Sequence, residues 1–330
     1  MGCISSVGIS AIIARGGISD ADVLALRRAY YNDGAIDFGE ADSLFALNDA
    51  CHIQVPAWAD FFVEALTDYV VNRMPPEGYV TAENAGWLME KISIDGKVQS
   101  ATELELLVNV LEKARWSPTS LVSFALDQVK HAVIDGEGPL RAGMTLEQGR
   151  ITVGEVALLR RVLYAFGGDG NIAITRAEAE VLFEINDACA DGPQAAAWTD
   201  LFVKAIANVL MATSGYATPA REQALKTEHW LASRGDIHRG FANITPASIL
   251  AAYRFQSDEE QSIARLESQC VELITNEEIT PIEAQWLVER LGRDGKITPN
   301  EEALIAWLHK ECPKIDPMLD QRLAEMGRAA

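Results

Sequence analysis

The sequence predicts an all-α protein made of two homologous helical bundles built from helix-turn-helix hairpins, with a helical insertion in the second copy. Three observations support this prediction. Apolar residues recur at three- and four-residue spacing in segments such as 58–71 and 104–111, which is the period of one buried helix face. Alternating apolar and polar runs, which would predict strands, are almost absent. The chain also resembles itself over two long stretches.

The first stretch of self-resemblance ends in the same four residues in both copies. The letters NDAC stand at 48–51 and again at 186–189. Shortly afterwards AWADFFVEAL around Trp58 matches AWTDLFVKAI around Trp198. Matching segments in the same order are the sequence signature of an internal duplication.

The second stretch lies further apart in sequence than the first. GYVTAENAGWLMEKISIDGKV at 78–98 matches EEITPIEAQWLVERLGRDGKI at 277–297. The larger separation predicts an insertion in the second copy, at about 214–276. Its apolar residues again follow a helical period.

These repeats set the predicted domain organisation. A short N-terminal segment, 1–18, precedes a first helical domain at 19–130. A glycine-rich segment without clean periodicity, 131–148, is the predicted linker. The second helical domain follows at 149–320, and residues 321–330 form a C-terminal tail.

The charge of the chain excludes several classes of partner. Asp and Glu number 48 against 28 Lys and Arg, giving a net charge of −20, which repels phosphate backbones and anionic bilayers. No apolar run is long enough for a transmembrane segment, and the five cysteines form no CxxC pair. We therefore expect a cytoplasmic protein with an unidentified protein partner and no nucleic acid. The acidic surface suits a basic partner, cations or plain solubility, and all three stay open. Homo-oligomer formation and N-terminal acylation of the MGCISS sequence stay open.

A short motif, Asp-Gly-x-aliphatic followed about a turn later by Glu, occurs four times. The glycine suits a positive φ at the end of a helix, and the following residues fit the start of a new helix through a capping box. We therefore interpret each motif as a tight helix-turn-helix hairpin. The motifs begin at Asp33, Asp95, Asp169 and Asp294, and the predicted capping pairs are Asp37 with Glu40, Ser100 with Glu103, Thr175 with Glu178, and Thr298 with Glu301.

The same motif also matches the second half of an EF-hand calcium loop. In most copies the leading ligand positions hold residues without a carboxylate. The exception keeps oxygen-bearing side chains at Asp169, Asn171, Thr175 and Glu178. Helix capping and a Ca²⁺ or Mg²⁺ site therefore both remain open, and no cofactor is certain.

The paired motifs, one early and one late in each copy, resemble the tellurite-resistance TerB-like family over about 19–116 and 151–313. The resemblance implies a compact, degenerate EF-hand-like helical domain, an acidic patch proposed to bind metal ions, and a role in stress-response or envelope-associated assemblies. The candidate metal ligands from the motifs and the resemblance are Asp33, Asp37, Glu40, Asp95, Glu103, Asp169, Asn171, Thr175, Glu178, Asp294 and Glu301.

No catalytic motif stands out in the chain. HExxH, GxSxG, GxxxxGK and a Rossmann fingerprint are all missing. The first hypothesis is therefore a non-enzymatic acidic helical interaction protein. The alternative is a divalent-metal sensor that uses the carboxylates of the motifs, and a metal-dependent hydrolase is the least favoured function.

The two copies share an asparagine, Asn48 in the first and Asn186 in the second. Each comes three and four residues after apolar side chains of the same predicted helix, so both amides should lie next to the buried helix face. A buried amide needs hydrogen-bond partners. We expect each to bond a carbonyl of a neighbouring helix, with a polar site shared with Asp49 and Asp187 as the alternative.

Overall fold

The computed structural model describes residues 8–30, 36–141, 148–165, 174–190, 192, 195–212, 281–293, 296–311, 317 and 319–321. Over these residues the chain is mostly helical with a few two-residue strands, which confirms the predicted all-α class. None of the helices in these ranges is long and apolar enough to cross a membrane.

The elements are numbered here in chain order over the described residues. The helices are α1 (Ile9–Arg15), α2 (Asp20–Tyr30), α3 (Phe38–Ala50), α4 (Pro56–Asp68) followed by a π-helix (Tyr69–Arg73), α5 (Ala82–Ile92), α6 (Ala101–Lys113), α7 (Thr119–Ile134), α8 (Val153–Leu163), α9 (Arg176–Ala188), α10 (Ala196–Ala212), α11 (Pro281–Arg290) and α12 (Pro299–Glu311). The strands are β1 (Gly17–Ile18), β2 (Ile53–Gln54), β3 (Ser93–Ile94) and β4 (Lys97–Val98). β1 pairs in parallel with β2, and β3 pairs antiparallel with β4.

Helix α4 shows how local sequence determines these elements. Pro56 occupies its first turn, where the missing N–H of proline leaves no hydrogen bond unmade. The predicted apolar stripe is then buried in full, including Trp58, Phe61 and Phe62. Burial of such a stripe is the main source of helix stability in a folded protein.

The aromatic cores of the two repeats use matching rings. Phe45 meets Phe62 edge to face with ring centroids 5.4 Å apart, and Trp58 packs on Phe62. In the second repeat Phe183 meets Phe202 at 5.1 Å. Edge-to-face contacts of this kind add to the stability gained from burial alone.

The chain divides into two compact units. One contains residues 1–203 with 298–300, and the other contains residues 204–297 with 301–330. Within the first unit α7 packs against α8 and α9, and α6 packs against α4, α7 and α8. The division predicted from the repeats, at 131–148, stays a prediction.

The Asp95-Gly96 motif differs from the predicted helix-turn-helix hairpin. Helix α5 already ends at Ile92, and the two motif residues join strands β3 and β4 as a two-residue turn. Both have positive φ, 51° at Asp95 and 77° at Gly96, as a type I′ hairpin turn requires. The glycine therefore does adopt positive φ, but in a β-hairpin rather than at a helix end.

A buried glutamine on α7 anchors this hairpin. Gln128 accepts a hydrogen bond from the Val98 N–H at 2.9 Å and donates to the Gly96 carbonyl at 3.0 Å. Gln128 is 4% exposed. Its amide therefore supplies the hydrogen bonds that water would otherwise make to the Val98 N–H and the Gly96 carbonyl. The hairpin therefore holds a fixed position on α7.

Candidate functional site

Three of the predicted capping boxes are present in the structure. In each, the first side chain accepts from the backbone N–H of the glutamate, and the glutamate carboxylate accepts from the backbone N–H of the first residue. The pairs are Asp37 with Glu40 at α3, Ser100 with Glu103 at α6, and Thr175 with Glu178 at α9. The capping interpretation is therefore confirmed at these three helices.

The fourth predicted box lies at the start of α12. Thr298 is buried, and its hydroxyl accepts a hydrogen bond from Asn186 at 2.8 Å. Glu301 is also buried and accepts from the Gly292 N–H at 3.2 Å. Capping of α12 by this pair stays a prediction.

The structure also has a capping box that the sequence analysis does not predict, because no Asp-Gly pair precedes it. Thr152 and Glu155 cap α8 in the same reciprocal way, and the Thr-Val-Gly-Glu order was the available signal. Glu155 is 2% exposed and pairs with Arg141, which is also buried and whose Nε lies 2.8 Å from Glu155 Oε1. Arg141 also donates through Nη2 to Glu155 Oε2 at 3.1 Å and to the Arg150 carbonyl at 2.6 Å.

The predicted metal ligands are only partly within the described residues. Asp33, Asp169, Asn171 and Asp294 lie outside them. Asp95 is exposed in the hairpin turn, and the other described candidates take part in the helix starts above. In the described ranges no three His, Cys, Asp or Glu side chains are grouped so as to hold a metal ion. The metal site stays a prediction.

Asn48 is the centre of a buried polar cluster in the first repeat. Its Nδ2 donates to Glu103 Oε1 at 3.2 Å, and its Oδ1 accepts from Trp58 Nε1 and from Gln54 Nε2, each at 3.2 Å. The expectation that this buried amide is satisfied is confirmed. Its acceptor, however, is the carboxylate of a helix cap rather than a helix carbonyl, so Asn48 connects α3 with α4 and with the start of α6.

Asn186 has the same position in the second repeat but different partners. It donates to Thr298 Oγ1 and accepts from Asn300 Nδ2, both at 2.8 Å. Asn300 in turn accepts from Thr199 Oγ1 at 2.6 Å. The indole N–H of Trp198 is buried and has no hydrogen-bond partner within the part of the chain that the structure describes, whereas its counterpart in the first repeat, Trp58, bonds an asparagine.

Two glutamates on α6 have pKa values shifted in opposite directions. Burial raises the pKa of Glu103, hydrogen bonds from Ser100 oppose this shift, and nearby Asp49 adds to it. Hydrogen bonds from Arg161 lower the pKa of Glu105. Arg161 on α8 donates to both oxygens of Glu105, at 2.8 and 2.9 Å, and also pairs with Glu112.

We expect Glu103→Gln and Glu105→Gln to change the pH dependence of stability in opposite ways. Because the pKa of Glu103 is higher in the folded state than in the unfolded state, this group stabilises the fold at low pH. That contribution to the free energy of unfolding is lost as the pH rises through the raised pKa. The contribution of Glu105 is present above its unfolded pKa and is lost as the pH falls through the lowered value. Urea unfolding between about pH 3 and pH 8 measures both effects. Parallel stability curves for the two variants and the wild type would contradict this expectation.

A groove of about 780 Å³ lies between α4, its π-helical continuation and α6. Its apolar lining consists of small side chains, among them Ala59, Val63, Val71 and Ala101. The lining residues on α4 recur at three- and four-residue spacing, so they occupy one helix face. On this side the lining extends from Ala59 to Asn72, a length of about 20 Å, which suits a helical segment.

Carboxylates dominate the charged lining of this groove. Asp60, Glu64 and Asp68 follow one another at four-residue intervals along α4, and are called here the α4 acidic row. The α6 side contributes Glu105 and Lys113. The groove therefore has one acidic wall and one of mixed charge.

No protein-family model, no curated protein and no solved structure matches this chain.

Proposed function

We propose that this protein is a non-enzymatic interaction module that binds a helical segment of a partner protein in the groove between α4 and α6. The observation that carries the proposal is the shape and lining of this groove, which is about as long as a short helix and combines small apolar side chains with an acidic wall. An apolar centre with a polar rim is the usual composition of a protein interface.

We also propose that the chain arose by internal duplication. Support comes from the capping boxes of α3 and α9, from the matching aromatic contacts of Phe62 and Phe202, and from the equivalent positions of Asn48 and Asn186. In both repeats the asparagine bonds the residues that begin a later helix, α6 or α12. A duplicated scaffold leaves each copy able to acquire its own surface.

The divalent-metal sensor remains the alternative, and it makes its own prediction at the loop around Asp169. If this loop holds Ca²⁺, its binding should be weak, with Kd about 10⁻⁴–10⁻³ M, because the loop offers few charged ligands. Calorimetric titration of chelator-treated wild type and Asp169→Asn tests this site. A heat that disappears in the variant supports metal binding, and identical heats for both proteins remove the loop as a site.

A panel of three peptides tests the interaction module directly. The peptides share a length of about 16 residues and a helix-forming alanine background, and they carry basic, neutral or acidic side chains along one face. Titration calorimetry on the full chain should show saturable binding of at least one peptide at a stoichiometry of one. Binding of none of the three would contradict the proposal.

A further inference from the structure

We infer that the occupant of the groove is a basic amphipathic helix, whose Lys or Arg side chains recur every four residues and face the α4 acidic row. This inference rests on the proposed function and names the chemical class of its partner. Side chains four residues apart lie about 6 Å apart along a helix. A partner helix alongside α4 can therefore present one cation to each carboxylate of the row.

The cations that now contact the row are surface side chains. Arg27 pairs with Glu64 at 2.6 Å and Arg73 pairs with Asp68 at 3.2 Å, with the arginine side chains 40% and 41% exposed. Exposed ion pairs of this kind contribute little to stability, so a cation of the partner can replace the arginine or bind beside it. Asp60 makes no ion pair with any residue that the structure describes.

The groove lining also contains a buried polar group. Thr67, between Glu64 and Asp68, is 8% exposed, and its hydroxyl has no hydrogen-bond partner among the residues that the structure describes. The oxygen of this hydroxyl has almost no accessible surface, so it is not open to an occupant of the groove. The choice of a basic occupant therefore rests on the charges of the α4 acidic row.

The second repeat shows that the fold does not require the acidic row. At the positions that match Asp60, Glu64 and Asp68 it has Asp200, Lys204 and Asn208. A lysine and an asparagine are therefore compatible with this helix position, and they interrupt the row. The uninterrupted acidic row is therefore a property of the first repeat alone. The proposed preference for a basic partner belongs to the first repeat for the same reason.

The test transfers the second-repeat residues into the first repeat. Glu64→Lys combined with Asp68→Asn should weaken binding of the basic peptide about tenfold and leave the neutral peptide unchanged. The matched control is Glu83→Gln with Glu90→Lys on α5, which changes the net charge equally at exposed positions outside the groove. This control should keep the affinity for the basic peptide within about twofold.

Each outcome of this test has a distinct meaning. If both double variants lose the same affinity for the basic peptide, the attraction comes from net charge alone and the inference is wrong. If both bind the basic peptide as the wild type does, the inference is also wrong. A dimer of the full chain that dissociates in the groove variant would identify a second copy as the occupant and also overturn it. If Glu64→Lys prevents folding, Asp60→Asn with Glu64→Gln removes the charges with little change in shape. If only the neutral peptide binds tightly, the proposed interaction module is supported but the inference of a basic partner is wrong.

Discussion

Replacing Arg141 with methionine is expected to lower the free energy of unfolding by about 3–5 kcal/mol, because the change leaves the Glu155 carboxylate buried without its countercharge. The two side chains are 4% and 2% exposed, so water cannot take the place of the guanidinium. The Thr152 N–H and hydroxyl would still bond Glu155, but neither carries a charge. Chemical denaturation of the wild type and the variant measures the loss.

A less buried arginine, Arg160, provides the control for this prediction. Arg160→Met on α8 removes a side chain that is 30% exposed and lies 3.3 Å from Asp200, and it should cost less than about 1 kcal/mol. Arg141→Met combined with Glu155→Gln should recover part of the loss, since the unpaired charge is removed. Equal losses for Arg141→Met and Arg160→Met would contradict the importance of the buried pair.

Asn48→Ala is expected to destabilise the protein by about 2–4 kcal/mol. The substitution removes a hydrogen bond to the carboxylate of Glu103 and leaves the indole N–H of Trp58 buried without an acceptor. Each buried group left without a partner costs about 1–3 kcal/mol. The change in melting temperature and the urea midpoint measure the effect.

Two further variants show whether the loss comes from this polar cluster. Asn72→Ala removes an exposed asparagine that bonds Asp68 and should change stability by less than about 0.5 kcal/mol. Asn48→Asp keeps the shape but places a second carboxylate against Glu103, so its loss should decrease as the pH falls and one carboxylate takes up a proton. A tolerated Asn48→Ala would remove the cluster as a source of stability.

Local patterns predicted the helices and their caps well. The apolar stripe of α4 and the capping box at Ser100 and Glu103 each depend on residues within a few positions of one another, so the sequence contains all the information needed. The turn at Asp95 and Gly96 was misread because an Asp-Gly pair before a capping box fits both a helix end and a hairpin. Strands of two residues are too short to show alternation.

The features that depend on tertiary packing could not be predicted in the same way. Asn48 was expected to be buried, but its partner Glu103 lies 55 residues away and no spacing rule connects them. The buried Arg141–Glu155 pair follows no motif. The groove exists because α4 packs against α6, and no property of either helix alone indicates the space between their carboxylate-bearing faces.

Hydrogen exchange of the full chain with and without the basic peptide tests the central claim most directly. Amide exchange reports local opening along the backbone, and a bound helix should slow it on both sides of the groove. The account predicts slower exchange in the exposed turns of α4, in the π-helix and in α6, with α5 and α7 unchanged. Slowed exchange confined to other helices, or no change anywhere when the peptide is saturating, would contradict it.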